Sequence, residues 1–149
     1  MSLLALVGAD VFDGKRLLKD NAVLIDGGKL RIIPAAGLPQ YCAREALSGG
    51  ILMPGFVDLQ VNGGGGAMLN DAPSRATIET IARAHHGLGT RAFLPTLITD
   101  RPEKVTAAIA AVVEAVAEGV PGVLGLHLEG PHLDPRRTGV HDPAAINSL

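Results

Sequence analysis

The feature that most constrains the fold is an alternation of apolar runs with helix-like segments between residues 51 and 129. The three apolar runs are predicted to be buried strands, at Ile51–Val61, Arg91–Thr99 and Val123–Glu129. They are apolar along their length rather than at every second position, which is typical of a parallel sheet covered on both faces. Strands that alternate with helices in this way indicate an α/β architecture.

Each connecting segment has the periodicity of a helix. Over Pro73–Leu88, the apolar residues recur on one helical face. The second helix is predicted to take Asp100 as its N-cap, with Glu103 completing a sequence that resembles a capping box, and to end at Gly119. Its predicted buried stripe consists of Val105, Ile109, Val112, Val113 and Val116.

The first fifty residues favour small β structure instead. Asn21–Asp26 and Lys29–Ile33 are short apolar runs separated by two glycines, which predicts a hairpin because glycine adopts the positive φ that tight turns need. The pattern changes near residue 50. We therefore predict two domains, a small β-sandwich portion at 1–50 and an α/β portion at 51–149.

The composition limits the possible binding partners and the cellular compartment of the protein. Thirteen basic and fifteen acidic residues give a net charge of −2 without a basic block, which argues against nucleic acid or an anionic membrane as a partner. The single cysteine, Cys42, excludes an internal disulfide and fits a reducing compartment. No Lys or Arg precedes the apolar residues at the N-terminus, which argues against a typical secretory signal. Gly119, Pro121 and Gly122 interrupt the one long apolar stretch, which argues against a membrane-spanning helix. A cytoplasmic location is the expectation.

Polar side chains lie at or near the carboxyl ends of the first and third predicted strands. Asp58, Gln60 and Asn62 lie on one face of the first strand, and His127 and Glu129 share a face of the third. In parallel α/β folds, active sites gather at the carboxyl ends of the strands. Burying such groups without partners costs free energy, so they need hydrogen bonds, a metal or a substrate.

Glu129 is the main candidate for metal binding, since a carboxylate at a strand end suits a divalent cation. It could instead pair with an arginine or cap a helix. His127 is more typical of a hydrogen-bonded core residue than of a ligand. His132 and His141 lie in the polar segment that follows, where a role as ligand or substrate contact and no role at all both stay open.

Two further features are less specific. Residues 63–66 are four consecutive glycines, but they lack the Gly-Lys-Ser/Thr ending of a phosphate-binding P-loop. They are better explained by a close approach of the backbone to its neighbours. His85 and His86 end the first helix, and adjacent helical positions splay apart, so a shared metal is not expected there.

Four motifs together resemble the N-acetylglucosamine-6-phosphate deacetylases of the amidohydrolase superfamily. In chain order they are PGFVDLQVNG at 54–63, LPTLIT at 94–99, GLHLEGP at 125–131 and GVH at 139–141. They occur at compatible spacing over nearly the whole chain. Where the superfamily's common first-strand pattern has two histidines, this chain has Gln60 and Asn62, which implies one metal ion rather than two.

The resemblance implies a reaction and a set of roles. The reaction is metal-dependent hydrolysis of the acetamide of N-acetylglucosamine 6-phosphate, giving glucosamine 6-phosphate and acetate. The implied metal is one divalent ion, with zinc expected and iron or another divalent metal as alternatives. The resemblance further implies that Glu129 is a metal ligand and that Gln60 lies near the metal or its water. Val140 and His141 are the implied substrate-binding residues, and Asn62 and Gly63 are implied to line the site. The family more often has Ala or Thr at the position of Val140.

The resemblance also implies what this chain should lack. The family fold is a (β/α)8 TIM-type barrel, which takes about 250 residues, so 149 residues are expected to hold only its first three strands. The remaining metal ligands, the general base and the phosphate-binding residues are expected beyond residue 149. The chain alone is then expected to be inactive, and the full-length protein to be a homodimer. Alternatives are another amidohydrolase that cleaves C–N bonds, such as a cyclic-amide hydrolase, or a non-catalytic half-barrel interaction domain.

Overall fold

The computed structural model describes residues 3–147, and the chain divides into two compact units, Met1–Pro54 and Gly55–Leu149. The first unit consists of two small β-sheets. The larger has the strand order β5–β4–β1–β6, built from β1 (Leu4–Val7), β4 (Asn21–Asp26), β5 (Lys29–Pro34) and β6 (Ala43–Ala46). The smaller has the order β3–β2–β7, built from β2 (Asp10–Phe12), β3 (Leu17–Leu18) and β7 (Ile51–Leu52).

The predicted hairpin is confirmed in the larger sheet. Strands β4 and β5 pair antiparallel up to Asp26 and Lys29. Gly27 and Gly28 between them have φ values of 57° and 84°, the combination that tight two-residue hairpin turns require. This sheet contributes Ala5, Ala22 and Leu24 to a small apolar core that Leu38 and Cys42 complete.

The second unit confirms the predicted order of strand, helix, strand, helix, strand. Its elements are β8 (Phe56–Val61), α1 (Arg75–His86), β9 (Thr90–Ile98), α2 (Pro102–Ala117) and β10 (His127–Glu129). The three strands are parallel, and β9 lies between β8 and β10. A short 3-10 turn at Pro143–Ala145 follows the last strand. Among the described helices, none has the length and hydropathy that a membrane crossing requires.

The core of the second unit forms between β9 and the two helices. Phe93 and Leu97 of β9 pack with Ile78 and Ile81 of α1 and with Val112 of α2, and all five are buried. Ser74 begins α1 as its N-cap, and its hydroxyl accepts a hydrogen bond from the Thr77 N–H at 3.3 Å. The packing of β9 on both helices is what sets its carboxyl end in place beside β8 and β10.

The prediction of one continuous strand over Ile51–Val61 is wrong. Ile51 and Leu52 pair with β2 in the first unit, whereas the strand of the second unit begins at Phe56. Pro54 has no N–H to donate to a ladder, so the strand breaks there. At Gly55, a Cβ would lie 2.1 Å from the Cγ of Arg91, so the backbone passes too close to β9 for a side chain. The units accordingly divide after Pro54 and not at residue 50.

The prediction that the first strand of this sheet is buried on both faces is also wrong for the described part of the chain. Phe56, Val57 and Leu59 are all exposed. The third strand is shorter than predicted, since β10 begins at His127, and Val123 makes only an isolated bridge to Phe93. A run of apolar residues indicates that burial would be favourable, but it does not show that something covers each face.

Helix α2 differs from its prediction at its start. Arg101 occupies the N-cap position without a side-chain hydrogen bond, and Pro102 is the first helical residue, a position that proline favours. Asp100 is therefore not the N-cap. Its carboxylate instead accepts a hydrogen bond from the Asn70 side chain at 3.0 Å, so a tertiary contact has taken the group that the local pattern assigned to the helix.

The buried face of α2 also differs from the predicted stripe. Ala108, Ala111, Val112 and Ala115 are buried, whereas the larger Ile109, Val113 and Val116 are exposed. Both faces of this helix are apolar, so periodicity alone does not choose between them. The small alanine side chains allow the helix backbone to approach its neighbours closely, which explains why the alanine face packs inward.

Candidate active site

Three of the predicted site residues meet at the carboxyl end of the β8–β9–β10 sheet. Glu129 is the last residue of β10, Gln60 lies near the end of β8, and Asn62 directly follows β8. The Gln60 Nε2 donates a hydrogen bond to the Glu129 Oε2 at 3.0 Å, and the Asn62 Nδ2 donates to the same oxygen at 3.2 Å. Gln60 thus contacts the carboxylate directly, and two amides together orient it through charge-assisted hydrogen bonds.

His141 approaches the other oxygen of the same carboxylate. Its ring comes from the segment after β10 and is buried, with 8% of the residue exposed. The His141 Nε2 lies 3.5 Å from the Glu129 Oε1, which is longer than an ordinary hydrogen bond. The imidazole and the carboxylate therefore face each other across a short gap. Val140 next to it is 85% exposed and borders a cleft of about 1010 Å³ that also touches Thr99 and Asp142.

Thr99 is a site residue that sequence reasoning missed. It is buried directly after β9, and its Oγ1 donates a hydrogen bond to the backbone carbonyl of Glu129 at 3.1 Å. The same Oγ1 lies 2.9 Å from the His141 Nδ1, and the Thr99 N–H points to that nitrogen at 3.3 Å. Thr99 lies in the motif at 94–99, so the motif was the available signal, but nothing in the sequence connects it to His141.

Asn70 is a second missed residue, and it secures the end of β9. Its side chain accepts from the Ile98 N–H and donates to the Ile98 carbonyl, both at 3.1 Å. It also donates to Asp100, which lies 3.4 Å from the Lys104 ammonium. Burial raises the pKa of Asp100, but the hydrogen bonds from Asn70 and from the Arg101 N–H, with the charge of Lys104, outweigh it and leave the pKa below its usual value.

The glycine run packs against helix α1. The His85 Nε2 donates to the Gly63 carbonyl at 2.9 Å, and the His85 ring stacks on Phe93. A Cβ at Gly64 would lie 2.9 Å from the His85 ring, and one at Gly65 would lie 3.1 Å from Thr80. Close approach of the backbone to a helix, rather than phosphate binding, is therefore the role that the packing supports for these glycines.

The remaining histidines lie apart from this cluster. The His127 Nδ1 lies 3.1 Å from the Thr96 Oγ1 on the neighbouring strand, in agreement with the interpretation of a hydrogen-bonded strand residue. His85 and His86 do not share a hydrogen-bond partner: the buried His86 Nε2 has none among residues 3–147. His132 is exposed. Of the loop histidines, it is His141 that the structure brings to Glu129.

A catalytic zinc ion has three protein ligands in most enzymes. Within residues 3–147, no group of three or more His, Cys, Asp or Glu side chains is placed to hold a metal. Glu129 and His141 are two, and the amides of Gln60 and Asn62 turn their N–H groups toward the carboxylate. The described residues therefore do not complete a catalytic zinc site.

Comparison with known proteins agrees with the motifs. Residues 3–52 match the family described as the NagA composite domain. The chain is 48% identical over 145 residues to an N-acetylgalactosamine-6-phosphate deacetylase of Shewanella sp. (strain ANA-3), covering 95% of this chain and 37% of that protein. It is 36% identical over 146 residues to the N-acetylglucosamine-6-phosphate deacetylase of Haemophilus influenzae, covering 97% of this chain and 38% of that protein.

The chain is similar over nearly its whole length to N-acetylglucosamine-6-phosphate deacetylases. The crystal structure of that enzyme from Pasteurella multocida superposes with a TM-score of 0.89 at 34% identity, over 99% of this chain and 39% of that one. The resemblance drawn from the four motifs is thereby confirmed, as is the mixed α/β architecture. The chain spans less than two fifths of the length of these deacetylases.

Proposed function

We propose that this chain carries the Glu129 side of a deacetylase site that hydrolyses the acetamide of N-acetylglucosamine 6-phosphate to glucosamine 6-phosphate and acetate. The main support is structural: the side chains of Gln60, Asn62 and His141 all approach the Glu129 carboxylate. Gln60, Asn62 and Glu129 lie at the carboxyl ends of parallel strands, where active sites of this architecture form, and His141 comes from the segment after β10. Similarity to two deacetylases over nearly the whole chain supports the same function.

In this proposal each residue has a distinct role. Glu129 is the metal ligand that this part of the protein supplies, and the amides of Gln60 and Asn62 hold its carboxylate in one orientation. Val140 and His141 contact the sugar, since the first is exposed beside the cleft and the second faces the carboxylate. Gly63 lines the site through its backbone.

The cofactor in this proposal is one divalent cation, with zinc favoured and iron an alternative. Because the described residues supply fewer than three ligands, we propose that the other ligands, the general base and the phosphate-binding groups come from outside residues 3–147. The three parallel strands would then be the first three of a (β/α)8 barrel, consistent with their order along the chain. We further propose a cytoplasmic enzyme that acts as a homodimer.

The 4-epimer of the sugar is a second candidate substrate. The relative that is 48% identical is named as an N-acetylgalactosamine-6-phosphate deacetylase, whereas the relative at 36% is named for the glucosamine compound. Both reactions cleave the same acetamide, so the residues around Glu129 serve either one. The choice between the two sugars depends on contacts with the C4 hydroxyl group.

A chimeric enzyme tests this proposal. The aligned part of the Shewanella deacetylase is replaced by this chain, and acetate release is measured with both N-acetylhexosamine 6-phosphates in the presence of zinc. We expect acetate release from at least one sugar, and we expect Glu129→Ala to abolish both turnover and metal retention. Glu103→Ala, the same substitution at an exposed position of α2 outside the site, serves as the matched control and should leave turnover and metal retention unchanged, since surface substitutions away from such features are tolerated.

The alternatives predict different outcomes in the same assay. A folded chimera that releases no acetate from either sugar, but opens a cyclic amide, would indicate another amidohydrolase. A folded chimera without any hydrolytic activity would favour a non-catalytic interaction domain. Full metal occupancy in the Glu129→Ala variant, measured by elemental analysis, would refute the assignment of Glu129 as a ligand.

A further inference from the structure

Asn70 lies in the loop between β8 and α1, and its side chain holds the last residue of β9 by both backbone groups. Its Oδ1 accepts a hydrogen bond from the Ile98 N–H, and its Nδ2 donates to the Ile98 carbonyl, both at 3.1 Å. A backbone N–H can only donate and a backbone carbonyl can only accept, so these contacts fix the orientation of the amide. The same Nδ2 also donates to the Asp100 carboxylate at 3.0 Å.

The Asn70 amide pairs with Ile98 as a neighbouring strand would. The ladder between β8 and β9 ends at Val61 and Pro95, before Ile98 is reached. Pairing through the N–H and the carbonyl of one residue is the pattern of a β-ladder, and here one side chain reproduces it. Aspartate offers no N–H for this contact, leucine offers neither group, and glutamine adds a methylene group. The contact is therefore specific to asparagine.

The loop presents this amide from a fixed position. Leu69, the residue before Asn70, is 1% exposed and belongs to the apolar core of the unit. On the other side, the Lys104 ammonium of α2 donates to the backbone carbonyl of Asn70. Because its own backbone is tied to the core and to α2, the amide restrains Ile98 instead of moving with it.

A restraint on Ile98 extends to Thr99, because the backbone groups of successive residues in an extended chain point to opposite edges. The groups of Ile98 point to Asn70 on one edge. On the other edge, the Thr99 N–H donates to the His141 Nδ1 at 3.3 Å. The Thr99 Oγ1 donates to the backbone carbonyl of Glu129 at 3.1 Å. A rotation of the chain at Ile98 would therefore remove Thr99 from both contacts.

We propose that Asn70 is a positioning residue whose amide holds Ile98 and thereby directs Thr99 into the polar end of the sheet. It acts through its neighbours and is not a catalytic residue. The statement about Thr99 stands on these hydrogen bonds alone. The consequence for catalysis rests on the proposed function, in which Glu129 and His141, the two partners of Thr99, belong to the active site.

Hydrogen exchange of the backbone amides, followed by NMR, tests the proposal on this chain itself. The Thr99 N–H reports on the contact with His141. The Phe93 N–H, which donates to the Gly122 carbonyl at 2.8 Å in the buried part of β9, reports on the stability of the unit. Asn70→Leu keeps a branched shape and removes the amide. We expect the exchange of Thr99 to accelerate about tenfold more than that of Phe93, because the end of β9 then opens locally.

Three further variants separate positioning from a general loss of stability. Asn70→Asp keeps the acceptor oxygen but loses both N–H groups beside the Asp100 carboxylate, so Thr99 exchange should accelerate by less than in Asn70→Leu. Adding Asp100→Asn to it supplies an N–H to the new carboxylate and should recover part of the protection. Thr106→Val, the matched control, removes a side-chain hydrogen bond to a backbone carbonyl within α2 and should leave the relative exchange of Thr99 unchanged.

Two results would overturn the proposal. One is Thr99 exchange that is unchanged in folded Asn70→Leu, or that accelerates only as much as that of Phe93. The other is a combined Asn70→Asp and Asp100→Asn variant that protects Thr99 no better than Asn70→Asp alone. If Asn70→Leu does not fold, Asn70→Asp supplies the same comparison. None of these measurements depends on acetate release, so an inactive chimera would count against the proposed function and not against this assignment.

Discussion

The second unit contains two regions that differ in how they are built. The helix-facing layer, formed by Phe93 and Leu97 of β9 with Ile78 and Ile81 of α1, is apolar and fully buried. The polar cluster, at the carboxyl end of the same sheet, has residues from three strand ends and one loop: Gln60, Asn62, Thr99, Glu129 and His141. Both regions depend on β9, so the same strand serves a core and a candidate site.

The comparison shows two ways of placing a side chain. Side chains of the layer lie on regular elements and are held by packing, which depends on volume. Side chains of the cluster are held by hydrogen bonds to groups distant in sequence, such as Thr99 to His141 across 42 residues. Stability should therefore respond to volume changes in the layer, and orientation should respond to single polar atoms in the cluster.

The largest expected effect is in the layer. Phe93→Ala should lower the free energy of unfolding by about 3–5 kcal/mol, because it leaves a cavity among residues that relax only in part. Phe56→Ala, at a position that is 54% exposed, is the matched control and should change it by about 0.5 kcal/mol. Urea unfolding followed by circular dichroism measures both. Equal losses would show that the layer is not the main source of stability.

The next effect lies where backbone and cluster meet. Gly130→Ala should cost about 1–3 kcal/mol, because a Cβ would collide with the Thr99 hydroxyl and the residue has a positive φ of 99°. Gly139→Ala shares the positive φ, at 58°, but meets open space, so it should cost about 1 kcal/mol. If the two variants unfold at the same urea concentration, the collision contributes nothing.

A smaller effect concerns the end of β9 and depends on pH. The folded state holds the pKa of Asp100 below its ordinary value, so the charged form stabilises the fold above the unfolded pKa, near 4, and this contribution disappears as pH falls through the folded pKa. Asp100→Asn should cost about 0.5–1.5 kcal/mol at pH 7 and less at pH 3. Thermal unfolding at both pH values measures this. A difference that grows toward pH 3 would contradict the assignment.

The smallest effect is expected at the centre of the cluster. Glu129→Gln keeps an oxygen that can accept from the Gln60 and Asn62 amides, so it should change stability by about 0.5 kcal/mol or less. Glu129→Leu removes that acceptor and should cost about 1–3 kcal/mol. Urea unfolding distinguishes them. A large loss in Glu129→Gln would mean that the charge itself supports the fold and would weaken the contrast between the two regions.

The sequence predicts the elements of this protein well and their surroundings poorly. The strand–helix–strand–helix–strand order and the β4–β5 hairpin follow from periodicity and from turn glycines, and both are confirmed. The joint face of Gln60 and Asn62 follows from alternation along a strand. The predicted buried stripe of α2 is wrong because both faces of the helix are apolar and either could pack inward. The predicted capping role of Asp100 is wrong because its carboxylate accepts a hydrogen bond from Asn70 instead.

The features that can be predicted from the amino-acid sequence are therefore local: which residues form strands and helices, and which polar side chains lie at strand ends. Other features depend on the folded chain: Asn70 secures Ile98, and Thr99 contacts His141. The exposure of Phe56, Val57 and Leu59 in β8 is likewise set by tertiary structure. The physical reason is that periodicity records the preference of a residue for burial or for a turn, which is a property of neighbouring residues. The partner of a hydrogen bond is chosen by the whole chain, once packing has brought distant segments together.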